Sequence, residues 1–371
     1  MPAAREMPKH PAFRTLLLGA GPQMQCGVGQ FTLRLGEALE KLAPGETTSL
    51  TLTRTEGSIA AIWRATNSAD NVVCNFPIVA WKRVILRPLV ALAFARLRRR
   101  RAILVLHEWA SLHWLRRITY VPALLLANHI VMFSPLVRQE LACDSVIGWT
   151  AERCVMAPLP PNIDAPATTA DSDLRRRLAA ARKEGRLLVG HFGSIYPAKQ
   201  PNALLRICAQ LKQRGANPLM VYVGSFIRGM DRVEEEFHAR AAELGVADDV
   251  MVTGFVASDA ELFGLFGEID AFCYPLDEGL TARRSSVLTG AQSGRPVVVT
   301  APADAGELAH HPRFRELIAR GAIVLVARGA GDEAYADAIL AAVKSTPARI
   351  PFDFAGWWRD TAEAIRALLT P

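Results

Sequence analysis

Three basic side chains are the strongest chemical signals in the chain. Lys199, Arg283 and Arg284 each follow a short apolar run and precede a helical pattern. The first amides of a helix have no partner inside it and point at whatever lies beyond, so a strand, a polar loop and a helix start make an anion site. Lys199 stands in "GHFGSIYPAKQPNALLRI", after Gly193, Ser194 and a turn through Pro197, where a cation meets the same oxygens as the helix amides. Arg283 and Arg284 stand in "IDAFCYPLDEGLTARRSSVLTGAQSGRP". There Ser285 or Ser286 is placed to cap a helix that stops at Gly294, and the two arginines are candidates to meet a diphosphate.

Two further places could do chemistry. His107 ends the run "LVLHEW", and a histidine at the carboxyl end of a parallel strand has the near-neutral pKa and two ring nitrogens that suit hydrogen bonding to a sugar or proton handling. Closing a turn is its plainer alternative. The turn "GAGPQMQCGVGQFTLRLGEAL" carries Gly19, Gly21, Gly27 and Gly29 ahead of a helix expected to begin at Phe31. Its spacing is not that of a dinucleotide fingerprint, and glycines after a strand are common turn residues.

These residues need elements to hold them. Apolar runs at 14–20, 48–53, 71–76, 102–108, 129–134 and 153–159 read as strands, with helical patterns between most of them. A linker rich in Pro, Ala, Thr and Asp follows at 160–173, and strands resume at 186–193, 218–225, 249–255, 269–275, 295–301 and 322–328. Runs apolar on both faces and separated by helices indicate parallel sheets covered on each side, hence an α/β chain of two doubly wound domains with ligands at the carboxyl ends of the strands. The expected domains are 1–165, 166–350 and a final helix at 351–371, in which Trp357, Trp358, Ile365 and Leu368 are available for packing.

Composition sets the frame. The chain has 371 residues, half of them apolar, and a net charge of +7. Its six cysteines are scattered without a C-x-x-C pair, which reads as reduced, buried thiols in a cytoplasmic protein without a zinc site. The first residues contain no apolar export signal, and "ITYVPALLLANHIVMFS" divides into a helix and a strand rather than a span. The positive charge gathers in residues 81–117, with Arg96, Arg98, Arg99, Arg100 and Arg101 among bulky apolar residues. A solvated face is one reading of that run, and a surface helix on anionic lipid is the other. Nucleic acid is not expected, because no recognised module accompanies the charge.

Assembled in this order, "CGVGQFTLRLGEAL", "LHEW", "FGSIYPAKQPNALL", "VTGFV" and "SGRPVVVT" resemble the GT-B glycosyltransferases, specifically the retaining glycosyltransferase family 4, over nearly the whole chain. The resemblance implies two Rossmann-like domains facing across a cleft, the first for the acceptor and the second for a nucleotide-sugar donor, with the last helix crossing back. By the same resemblance Gly27 and Gly29 match the loop near the donor phosphates, His107 the active-site histidine near the transferred sugar, and Lys199 the diphosphate-binding lysine. Catalysis is then assigned to His107, Lys199 and Arg283, and donor binding extends to Gly193, Ser194, Thr281, Arg284, Ser285, Ser286 and Thr289. Two departures stand out: Ser194 occupies a position that much of the family fills with arginine, and the family's paired glutamates fall on Thr281 and Thr289, with Glu278 three residues early. The implied activity is sugar transfer with retention to a saccharide or lipid-linked acceptor, without an obligatory metal, as in bacterial polysaccharide or glycolipid synthesis. A non-catalytic partner subunit and a nucleotide-sugar epimerase are the alternatives on the same architecture.

Overall fold

The computed structural model of the chain describes residues 13–21, 27–227, 232–345 and 352–369. The chain divides into two compact units, one of residues 1–158 with 358–371 and the other of residues 159–357. All twelve apolar runs are strands, and both sheets are wholly parallel.

In the first unit β1 (Thr15–Gly19), β2 (Thr47–Thr51), β3 (Asn71–Phe76), β4 (Arg101–Leu106), β5 (His129–Met132) and β6 (Cys154–Met156) lie in the order β2-β1-β3-β4-β5-β6. Every residue of β3 is buried, as expected of a strand covered on both faces. Helix α1 (Gly27–Leu42) packs on β1 and β2. Helices α2 (Ile59–Asn67), α3 (Leu86–Leu97) and α4 (Trp114–Leu126) follow crossovers running the other way along the sheet, and α3 packs against both of its neighbours. Right-handed crossovers put these three on the face opposite α1. Helix α1 begins four residues before the expected Phe31, at Gly27. Amides of a first turn have no bond to lose, so glycine costs little there.

The second unit has β7 (Leu187–Phe192), β8 (Pro218–Val223), β9 (Val250–Val252), β10 (Ala271–Tyr274), β11 (Val297–Thr300) and β12 (Ile323–Val326) in the order β12-β11-β10-β7-β8-β9. The chain starts at β7, builds outward through β8 and β9, and returns to the other side of β7 with β10. The boundary between β7 and β10 is therefore the point where strand order reverses, and loops leaving the carboxyl ends of those two strands flank one crevice. Helices α5 (Pro135–Ala142) and α6 (Asp173–Lys183) lie either side of the unit boundary, α7 (Pro201–Gln213), α8 (Val233–Glu243), α9 (Asp259–Glu268), α10 (Ser285–Gln292), α11 (Pro312–Ala319) and α12 (Asp332–Ser345) connect the strands, and α13 (Phe354–Arg366) ends the chain. Helix α13 begins in the second unit and continues in the first. Within the first, Trp358 meets the Phe31 ring at 5.2 Å and Arg366 bonds the Leu42 carbonyl and Glu46.

The basic run at 98–101 is not a free surface. Arg98 sits 3.5 Å over the Trp63 ring and donates to Thr66 Oγ1, Arg100 bonds Asp70 at 2.7 Å, and Arg101 opens β4 and donates to the Leu368 carbonyl. Of the named five, Arg96 and Arg99 are exposed, whereas Arg98, Arg100 and Arg101 are half-buried and bond within the unit. The cysteines also differ in part: Cys74, Cys208 and Cys273 are buried, but Cys143 is exposed and Cys154 half-buried. Cys26 lies outside the described residues.

Candidate active site

The loops after β7 and β10 carry the three cations. After β7, Gly193 adopts φ +133°, the amide of Ile195 bonds the Ser225 carbonyl, and a single helical turn through Pro197 delivers Lys199. Gln200 then turns the chain with φ +52°, and Pro201 starts α7 where its missing N–H is not needed.

The loop after β10 is held at several points. Leu276 donates to Thr300 Oγ1 at 2.7 Å, Leu280 to the Thr300 carbonyl, and Ala282 to the buried carboxylate of Glu307 at 2.9 Å. Gly279 has φ +78°, and a Cβ there would lie 2.3 Å from the Ala301 carbonyl, so only glycine fits this close approach. Tyr274 ties the two loops together: its hydroxyl accepts from the Phe192 amide and donates to the Ser286 carbonyl at the start of α10.

Arg283 and Arg284 are 21% and 17% exposed and share one carboxylate. Arg283 Nη2 donates to Glu278 Oε2 at 3.2 Å, and Arg284 Nη2 abuts Glu278 Oε1. The Nε of each arginine is buried without a partner among the described residues. Burial, then the charges of Arg284 and Arg283, pull the Lys199 ammonium down to about 7. Burial also lowers Arg284, against a bond to Tyr196. Beneath them His191, on β7, bonds the Cys273 carbonyl and is held down to about 4 by burial, with Lys199 and Arg284 adding to the effect. Arg283 and Arg284 share the one carboxylate of Glu278, and Lys199 is repelled by both, in a largely desolvated place. Such an arrangement attracts a polyvalent anion, which would take up the unpaired donors and relieve the repulsion.

The remaining residues sort by position. Neither Ser285 nor Ser286 caps α10: Arg284 holds the cap position without a side-chain bond, and both serines are first-turn residues. The backbone turns into helix one residue earlier than the serine pattern implied, which leaves the amides at that end uncapped by any side chain. Gly294, with φ +76°, follows the helix end as expected. Thr281 is buried with Oγ1 unpartnered among the described residues, and buried Thr289 donates to the Ser285 carbonyl. Ser194 is exposed beside Gly193.

His107 lies in the first unit. It follows β4, with its ring 4.9 Å from Phe31 and 5.0 Å from Phe133. Its Nε2 is buried without a partner among the described residues, and burial lowers its pKa to about 3. A neutral imidazole with an unspent ring nitrogen is a hydrogen-bonding group rather than a fixed charge. Gly27 and Gly29 open α1, Gly29 buried and Gly27 exposed, while residues 22–26 of the glycine turn lie outside the described residues. Sequence reasoning missed Glu278 as the shared counter-ion, Tyr196 as the partner of Arg284, and His191. An acid five and six residues ahead of two arginines in one loop was the available signal for Glu278.

Residues 186–345 match the family model of glycosyl transferases group 1. That segment contains β7 to α12 and all three cations. No curated protein matches the chain in sequence. Among solved structures, Anabaena Alr3699/HepE in complex with UDP is similar at a TM-score of 0.60 and 16% identity, covering 96% of this chain and 95% of that one. The same protein is also solved with UDP-glucose. The apo lipopolysaccharide outer core galactosyltransferase WaaB gives a TM-score of 0.59 at 10% identity, covering 96% and 100% of the two chains. WaaG, a glycosyltransferase involved in lipopolysaccharide biosynthesis, gives 0.54 at 13%, covering 96% and 99%. The fold is GT-B: two six-stranded parallel sheets with flanking helices, as in these glycosyltransferases.

Proposed function

We propose that the protein is a retaining glycosyltransferase of family 4 that moves a sugar from a nucleotide-diphosphate sugar to a saccharide or lipid-linked acceptor in polysaccharide, lipopolysaccharide or glycolipid synthesis. The observation that carries this reading is the group of Lys199, Arg283 and Arg284, mutually repelling and with the two arginines sharing Glu278, at the strand-order reversal of the segment that matches the glycosyl transferases group 1 model. The binding of UDP and UDP-glucose by HepE, a protein of the same fold, supports a nucleotide-sugar donor.

In this reading the acceptor hydroxyl attacks the anomeric carbon on the face from which the diphosphate departs. The new carbon–oxygen bond forms as the bond to the diphosphate breaks, and the hydroxyl proton passes to the departing phosphate oxygen. Lys199, Arg283 and Arg284 stabilise the charge that develops on the leaving group, with the uncapped amides of α10 adding to them. This is positioning and electrostatic work, and with three cations on the diphosphate a metal is not obligatory. Gly27 and Gly29 are assigned to the donor phosphates and His107 to a hydroxyl of the transferred sugar. Gly193 and Ser194 border the donor, and Thr281, Ser285, Ser286 and Thr289 support the loop and helix that carry the arginines. The reaction is assigned to the cytoplasm, at the inner face of the membrane when the acceptor is lipid-linked.

Thermal stability against UDP, GDP, ADP and their common sugars tests the donor site. A base-specific rise in melting temperature that Lys199→Ala abolishes supports it, because a ligand bound only to the native state stabilises that state by mass action. No rise with any nucleotide at millimolar concentration would move the reading to a non-catalytic partner, for which the threonines at the family's glutamate positions are the motive. Proton NMR of the product then reads the anomeric configuration. Activity that survives EDTA agrees with a metal-independent reaction, and an inverted product sinks the retaining mechanism.

A further inference from the structure

We propose that the outer face of the α2, α3 and α4 layer in the first unit docks on an anionic phospholipid surface. The first observation is apolar exposure. Of the fifteen large hydrophobic side chains exposed among the described residues, nine belong to this layer or to the short turn at 79–83 ahead of α3. Ile59 and Trp63 stand out on α2, Leu97 ends α3, and Trp114, Leu115 and Ile118 form the first turns of α4. Trp114 is 59% exposed and Ile118 58%, one turn apart on the same side of the helix. An exposed apolar set of this size on a folded unit marks an interaction surface.

The second observation is charge. None of α2, α3 or α4 contains an acidic residue. Across residues 59–126 the only carboxylates are Asp70 and Glu108. Asp70 is spent on Arg100 and the Arg14 amide, and Glu108 accepts from Ser111. By contrast Arg64, Lys82, Arg83, Arg96 and Arg99 are exposed. A protein partner would ordinarily meet a face of mixed sign, whereas tryptophan and aliphatic side chains interspersed with cations and no anions complement a surface that is apolar inside and negative at its edge. The lipid contact therefore sits on exposed side chains of a whole helical layer, Arg96 and Arg99 among them, and not on the internally bonded Arg98, Arg100 and Arg101. The proposal deepens the reading of a lipid-linked acceptor but is measured without sugar transfer.

The test is cosedimentation of the full chain with vesicles of phosphatidylcholine alone, or with about a third phosphatidylglycerol, at low salt. Binding is expected to the mixed vesicles only and to weaken by about fivefold for each charge removed in Lys82→Gln and Arg83→Gln. Trp114→Ser with Ile118→Ser is expected to lower it at least tenfold with an unchanged melting temperature, since both side chains face solvent. Nucleotide-induced stabilisation in that variant should match the parent, so failure of the donor reading and failure of this one register in different assays. Equal binding to both vesicles, binding to neither, or an unaltered Trp114→Ser/Ile118→Ser variant would overturn the proposal. So would a lipid-free dimer that this variant converts to monomer, which would make a second copy the occupant.

Discussion

The two units treat clustered positive charge in opposite ways. In the first, Arg98, Arg100 and Arg101 each find a separate acceptor: an indole face and a hydroxyl, the carboxylate of Asp70, and the Leu368 carbonyl in the turn after α13. In the second, Arg283 and Arg284 share the carboxylate of Glu278 and both repel the ammonium of Lys199, so two guanidiniums divide one acceptor where the first cluster has one each. The density of basic residues along the sequence is greater in the first cluster, yet the second holds the imbalance. Charge that is matched in place is architecture, and charge left unmatched in a desolvated loop is a binding site.

The widest test of this contrast is Arg283→Ala with Arg284→Ala. Hydrogen bonds to charged groups contribute about 1.5–3 kcal/mol each, so the dissociation constant for the preferred nucleoside diphosphate should rise at least about a hundredfold by calorimetry. A loss below tenfold would mean that these arginines serve the loop rather than a ligand.

Lys199→Met should weaken the same affinity by about tenfold or more, while the unliganded protein becomes more stable. Its folded pKa, about 7, lies below that of the unfolded chain. Between those two values the unfolded state binds more protons, so the parent's stability rises with pH through this window and carries the full cost of the crowded ammonium below about pH 7. The gain in melting temperature from Lys199→Met is therefore largest at or below neutral pH and fades as pH approaches the ordinary lysine value. A loss of stability at pH 6 would show that Lys199 is held by bonds rather than strained by its neighbours.

Glu278→Gln sharpens the comparison from the other side. Without the carboxylate that Arg283 and Arg284 share, the cluster repels itself, so the unliganded melting temperature should fall, and stabilisation by a nucleoside diphosphate should exceed that of the parent. Equal stabilisation in both proteins would mean that ligand and Glu278 do not compensate the same charge.

The strands were legible because each is an apolar run bounded by polar turns, and local composition suffices for that. Lys199, Arg283 and Arg284 were legible singly for the same reason, each standing in a loop between strand and helix. Their convergence on one ligand was expected only through the family resemblance, since it depends on β10 returning beside β7, a long-range pairing that no local pattern encodes. Partners of the 98–101 run were hidden likewise: Thr66, Asp70 and Leu368 come from other elements, the last from the far end of the chain. The serine pattern misplaced the start of α10 by one residue because Ser285 and Ser286 qualify equally as caps until the backbone is seen.

The smallest expected effect falls on the first cluster. Arg98→Met keeps an apolar chain over Trp63 but removes the charge above the ring and the bond to Thr66 Oγ1. At a half-buried site those losses amount to about 1 kcal/mol of unfolding free energy by urea titration. Nucleotide affinity should not change, because the contacts of Arg98 close within α2 and α3 and touch no residue assigned to the donor. If affinity fell along with stability, the matched cluster would be coupled to the unmatched one, and the division between architecture and binding site drawn from their partners would fail.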